Sequence, residues 1–193
     1  MKKITIAIIP LLLATLPAAA QNALPEKGGA IIMAQAAPAP AAPAPAPMTG
    51  YTNPKPEFTD IHMERAVDRP AKAVWAKVGG YCQIADWFNT KCAYTTGNGE
   101  IGTNRALGPT GTTNELMVAK TPLSYAYSQP LSPIYYHGNL SVEVVDATHS
   151  KIVYDLLYDT AGMTPDAKAA DMARRKTRFE QGIDKMVELA HAP

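Results

Sequence analysis

From residue 60 to the C-terminus the sequence reads as one strand, two short helical stretches, six further strands in succession and one long helix. Strands run together and closed by a helix make an α+β domain, in which a curved antiparallel sheet of about seven strands folds around the long helix and leaves a cavity between them. The first strand spans 60–68. Pro70 then opens a helix over Ala71–Val78, where Val74, Trp75 and Val78 share a face, and Gly79-Gly80 stops it. A second helical stretch over 83–88 precedes strands over 91–96 and 100–107, with Asn98-Gly99 as a two-residue hairpin turn. Strands follow over 112–120, Ser124–Ser128, 135–145 and 151–159, separated by turns that contain Pro, Gly and Asp. Thr164-Pro165 caps the closing helix, whose Met172, Phe179, Ile183, Met186, Val187 and Ala190 recur at helical spacing. Its Arg174, Arg175, Lys176 and Arg178 are assigned to a solvated face, with Asp171 four residues before Arg175 and Lys176 four before Glu180.

The N-terminal segment has a different character. Lys2-Lys3, an apolar run over 4–16 and Pro17-Ala18-Ala19-Ala20 follow the order of a secretory signal peptide, so residues 1–20 are expected to be removed, with Ala34-Gln35-Ala36 as a second small-residue site. The apolar run is shorter than the ~20 residues of a membrane span, which leads us to expect a periplasmic protein with no stable membrane insertion. Residues 21–56, with Ala/Pro alternation over 36–47, read as an extended spacer, leaving 57–193 as one domain. A net charge of +1 gives no electrostatic reason to expect nucleic acid as a partner. With two cysteines, no C-x-x-C pair and no H-E-x-x-H helix, neither a metal site built from sequence-local ligands nor a cofactor is expected. In an oxidising compartment Cys82 and Cys92 are expected to close a short loop by a disulfide; a catalytic thiol would need a base, and none is adjacent in sequence.

Alternation along the strands assigns their faces. Ile152, Tyr154, Leu156 and Tyr158 share the inner face of the last strand, with Val153, Asp155, Leu157 and Asp159 outside; Tyr136, Gly138, Leu140, Val142 and Val144 face inward on the preceding one. Tyr125 and Tyr127 also turn inward. If Leu107 pairs with Thr113, antiparallel register sets Arg105 opposite Glu115 on the face of Ile101, Leu107 and Met117. A charged pair facing the interior either staples the sheet or forms the polar anchor of a greasy pocket. Five inward phenols, Tyr125, Tyr127, Tyr136, Tyr154 and Tyr158, are either plain core or the wall of a pocket for a phenolic, sterol-like or polyketide-like ligand, with Trp87 and Phe179 as flat apolar walls. Gly182, mid-helix, makes room for close packing on the sheet or for a ligand. His62, His137, His149 and His191 are read as surface residues.

Several segments resemble the START-like or SRPBCC superfamily, the helix-grip fold that includes polyketide cyclase/dehydrase-like proteins and, more distantly, the plant abscisic-acid receptors. Val67-Asp68-Arg69-Pro70-Ala71-Lys72-Ala73-Val74-Trp75 is similar to the start of its first helix, Ala85-Asp86-Trp87-Phe88 to its second, and Gly99-Glu100-Ile101-Gly102-Thr103-Asn104-Arg105 to its glycine-marked strand. Asn114-Glu115-Leu116 and Leu131-Ser132-Pro133-Ile134-Tyr135-Tyr136 resemble the segments after the receptors' gate and latch, so the likeness covers residues 61–189. It implies a gate-like loop at Gly108-Pro109-Thr110-Gly111, which composition alone reads as a Gly/Pro hairpin loop, and it implies that Glu115 lines the cavity. Where the receptors keep a lysine for their ligand's carboxylate this chain has Asp86, so that salt bridge is absent. Two functions are expected from the whole. One is binding of a small hydrophobic molecule, aromatic, polyketide-like or isoprenoid, against Trp87, Met117, Tyr125, Tyr127, Tyr154, Tyr158 and Phe179. The other is a cofactor-free lyase, cyclase or dehydratase in which Glu115 moves a proton, Arg105 steadies negative charge and Tyr136 donates.

Overall fold

The computed structural model describes residues 52–193. The expected signal peptide over 1–20, and the spacer over 21–56 as far as residue 51, lie outside the described residues. The elements run β1 (Phe58–Val67), α1 (Ala71–Val78), α2 (Ile84–Phe88), β2 (Cys92–Thr96), β3 (Asn104–Leu107), β4 (Thr113–Thr121), β5 (Ser124–Ser128), β6 (His137–Val144), β7 (Ser150–Asp159) and α3 (Pro165–His191). The seven strands form one antiparallel sheet in the order β1-β7-β6-β5-β4-β3-β2, so the first strand joins the last while every other strand pairs with its neighbour in sequence. This is the α+β sheet around a long helix that the order of elements implies, and the helix-grip fold that the resemblance implies.

Local chemistry sets the helix ends. Pro70, at φ −59°, leads into α1, which buries Ala71, Val74 and Val78, and the Gly79 N–H closes it on the Trp75 carbonyl. α2 ends at Asn89, whose left-handed φ of 48° suits an asparagine cap. The Thr164 hydroxyl accepts from the Ala167 N–H at 3.3 Å, with Pro165 in the first turn of α3. Asp159 fastens the start of the domain to the end of β7 by accepting from the Glu57 N–H and the Asn53 amide. The Cys82–Cys92 disulfide is present, bracketing α2 and tying it to β2.

The inner face of β7 is buried as alternation requires: Ile152, Tyr154, Leu156 and Tyr158 are all 1% exposed or less. Several expectations need correction. Asp159, assigned to the wet face, is buried where it accepts from the Glu57 N–H and the Asn53 amide. The β2–β3 connection is not a two-residue Asn98-Gly99 turn, because Thr96 pairs with Asn104 and leaves residues 97–103 as a loop. The buried Thr103 hydroxyl accepts from the Asn98 and Gly99 N–H groups and organises it, and Gly97, at φ +78°, sits where a Cβ would lie 2.4 Å from that hydroxyl. Ile101 therefore lies in the loop and is 63% exposed rather than facing the core with Leu107 and Met117. Val144 is likewise exposed, because β6 ends there and runs out past the core. Val153, assigned to the wet face, is buried: it lies in register between Glu64 and Ser141, flanked by the Glu64–Lys151 ion pair.

Candidate functional site

The β3–β4 hairpin adopts the register read from the sequence, with Leu107 opposite Thr113 and Arg105 opposite Glu115. Neither charge reaches water: Arg105 is 0% and Glu115 3% exposed. Taking two ions out of water costs several kcal/mol per ion after relaxation, roughly, and is offset only by close geometry and full hydrogen bonding. Both are present here. Arg105 donates from Nε at 2.9 Å and from Nη2 at 2.5 Å to Glu115 Oε2, and from Nη1 to the Tyr81 carbonyl. Gln129 Nε2 donates to the other carboxylate oxygen, Oε1, at 3.0 Å. The guanidinium also lies 3.9 Å from the Tyr81 ring centroid and 5.1 Å from that of Tyr127, within cation–π range. Burial works against its charge, but the Glu115 carboxylate beside it offsets this and keeps Arg105 protonated.

An aromatic layer continues from this pair across the inner face. Tyr81 meets Tyr125 edge-on at 5.2 Å, and Tyr127, Tyr136 and Tyr158 follow at spacings of 6.2–6.5 Å. The Tyr127 and Tyr154 hydroxyls share a 3.0 Å hydrogen bond, and Tyr154 packs against Phe179 and Trp87. The buried Tyr125 hydroxyl faces Arg105, and that of Tyr158 faces the Asp171–Arg175 pair, without closing a hydrogen bond to either. Gly138 exists for this layer, since a Cβ there would meet the Tyr127 ring at 2.4 Å. Burial pushes the phenols of Tyr125, Tyr127, Tyr136 and Tyr154 above their ordinary range and that of Tyr158 up to about 12. All five stay neutral at physiological pH and act as O–H donors, not as bases.

A cavity of about 240 Å³ opens where α2 and α3 cross the β3–β6 end of the sheet. Ile84, Phe88, Leu107 and Phe179 form its apolar walls; Glu115, Gln129, Tyr127 and Tyr136 form its polar floor; Gly108 of the gate-like loop borders it. Of the residues singled out from the sequence, Glu115, Tyr127, Tyr136 and Phe179 thus meet in one cavity. Arg105 stands behind Glu115, Tyr154 behind Tyr127 and Tyr158 behind Arg175, so they support the wall without forming it. Trp87 packs between Phe88 and Tyr154. Met117 and Tyr125 border a separate cavity of about 360 Å³ with Trp75, Tyr94 and Lys120. Gly182 accommodates neither ligand nor sheet: its missing side chain is replaced by Phe88 of α2, whose Cε1 would lie 2.5 Å from a Cβ there.

Sequence reasoning missed Gln129, Phe88 and above all the arginines. Arg174, Arg175 and Arg178 border the cavity instead of belonging wholly to a solvated face. Arg175 lies 4.5 Å from the Tyr158 ring centroid and 5.3 Å from that of Tyr136, with Nε donating to Asp171 at 2.6 Å; Arg178 lies 5.0 Å over Phe88. The signal was available, since Arg175, Arg178, Phe179, Gly182 and Met186 recur at helical spacing and form one stripe. Gln129 had no such signal, because it leaves the end of β5 in a loop.

Fold and site together define a helix-grip domain with a polar-floored internal cavity. Residues 59–191 match the family described as polyketide cyclase/dehydrase and lipid transport, and the chain belongs to that family. No curated protein matches the sequence. Among solved structures, a protein from Thermobifida fusca is similar at 20% identity and a TM-score of 0.57, covering 68% of this chain and 92% of that one. The Zhui aromatase/cyclase from Streptomyces sp. R1128 is similar at 18% identity and a TM-score of 0.50, covering 69% and 94%. Norcoclaurine synthase from Thalictrum flavum, solved in complex with dopamine and hydroxybenzaldehyde, is similar at 15% identity and a TM-score of 0.55, covering 72% and 90%. At these identities the likeness is one of fold.

Proposed function

We propose that this is an exported protein that binds a small aromatic, polyketide-like or isoprenoid molecule in the cavity over Glu115. One observation carries the reading. A buried carboxylate, with three of its roughly four lone-pair positions filled by Arg105 and Gln129, presents what remains to a chamber that also carries the rings of Phe88, Tyr127, Tyr136 and Phe179. Such a group fixes the orientation of a ligand by one hydrogen bond while the rings supply contact area. The volume of about 240 Å³ admits one substituted ring or a short isoprenoid; an apolar cavity of about 150 Å³ already holds benzene. That norcoclaurine synthase was solved with two monocyclic aromatics supports the size class.

The second reading, a cofactor-free lyase, cyclase or dehydratase, draws on the same carboxylate. The free lone pair of Glu115 takes a proton from the substrate, the neutral Tyr136 hydroxyl donates one, and Arg105 is a positioning residue acting through Glu115. The Zhui aromatase/cyclase on this fold supports that class of chemistry.

Calorimetric titration with 2-phenylethanol, a neutral single ring with one hydroxyl, tests the binding reading. Saturable binding that weakens about tenfold in Glu115→Gln or Tyr136→Phe is expected for the loss of one hydrogen bond to a charged or buried partner. No binding to the intact protein refutes it. Turnover of compounds extracted from the native source, abolished by Glu115→Gln, selects the second reading. Recovery of the protein in the periplasmic fraction tests export.

A further inference from the structure

We infer that the ligand carries a carboxylate, held at the cavity mouth by the α3 arginines, with Arg178 as the residue that selects it. This rests on the cavity being the binding site. Three cationic groups, Arg174, Arg175 and Arg178, border the cavity on the α3 side against one nearby carboxylate, Asp171, while Arg105 and Glu115 pair with each other at the floor. Glu115 is satisfied by Arg105. Asp171 alone serves both Arg174 and Arg175, and among the described residues no carboxylate lies within ion-pair distance of Arg178. A chain with a net charge of +1 therefore concentrates a local surplus of positive charge at this one opening. Asp86 does nothing to offset it, being exposed on α2 and outside the cavity wall.

Geometry then narrows the ligand. The Arg178 guanidinium lies 5.0 Å over Phe88, itself a wall of the cavity, and Arg175 lies 4.5 Å over Tyr158 beside Tyr136. Contact with a ring restrains a guanidinium, and Arg178, with no ion-pair partner among the described residues, keeps N–H groups that can meet a planar carboxylate by paired hydrogen bonds. At the opposite end of the cavity Glu115 accepts and repels negative charge, so an anionic group enters toward α3 and a hydroxyl or other donor toward the floor. The volume leaves room for one ring between them, which makes an arylacetate or similar monocyclic acid the fitting class.

The test compares phenylacetate with its neutral isostere 2-phenylacetamide by calorimetry, in the intact protein, Arg178→Gln and Lys176→Gln. Lys176 is exposed on the same helix and does not line this cavity, so its variant removes an equal charge without touching the site. Phenylacetate is expected to bind at least roughly tenfold more tightly than the amide, a preference lost in Arg178→Gln and kept in Lys176→Gln. Raising salt from about 0.02 to about 0.5 M is expected to weaken only the acid. Equal binding of acid and amide to the intact protein overturns the inference and leaves the cavity reading standing. A preference that survives Arg178→Gln, or falls equally in Lys176→Gln, also overturns it. Binding of neither compound overturns the cavity reading and the inference together.

Discussion

The two halves of α3 do opposite work. From Ile183 onward the helix buries Ile183, Met186 and Ala190 completely or nearly so, against a core that includes α1 residues Val74 and Val78 and β1 residues Ile61 and Met63. Before Phe179 no residue of the helix is buried, and the same stripe carries Arg175 and Arg178 over the cavity. One continuous rod of backbone is thus anchored at its dry end and holds polar groups in place at its wet end, at the junction where Phe88 replaces the side chain of Gly182. A helix anchored over half its length positions functional side chains without asking them to contribute to the core.

The comparison can be broken in several places. The largest effect is expected in the sheet beneath the wet end, from Arg105→Met on β3: leaving Glu115 buried with only Gln129 should cost about 3–5 kcal/mol in urea unfolding. Arg105→Met combined with Glu115→Leu should recover much of that loss, and a single variant as stable as the parent would show that the pair is not buried as described. At the dry end, Ile183→Ala should cost about 2–5 kcal/mol by cavity creation while leaving affinity for cavity ligands unchanged in the protein that remains folded. If affinity falls in step with stability, the two halves are not independent. At the junction, Gly182→Ala must displace the Phe88 ring, at about 1–3 kcal/mol of overpacking strain, and it should also weaken ligand binding because Phe88 is a cavity wall.

The smallest effect lies on the outer face of the sheet, away from both halves. A hydrogen bond to Asp155, then one to Glu64, holds the His62 imidazole above its ordinary value of 6.5. A raised folded-state value means that the contribution to stability is complete below 6.5 and is lost as pH rises through the elevated value. The thermal midpoint should therefore decline slightly between about pH 6 and about pH 8, and His62→Gln should flatten that slope.

Periodicity was enough for the inner faces of β5 and β7 and for the Arg105–Glu115 register, because a single pleat and one hairpin fix which side chains oppose. It failed at Ile101, where the turn residues Asn98-Gly99 suggested a tight hairpin and Thr103 instead closed a longer loop through its hydroxyl. It failed again at Arg175 and Arg178, because a charged residue on a helix reads as solvated whichever stripe it occupies.

By itself the sequence determined the order of elements, the antiparallel register and the identity of the charged pair, all of which depend on neighbours close along the chain or one strand away. Only the tertiary structure decided which phenols border open space and which stand behind others, and that Gln129 completes the shell of Glu115. Those outcomes depend on how α2 and α3 cross the sheet. Phe88 meeting Gly182, residues 94 positions apart, fixes that crossing through a contact that no local pattern records.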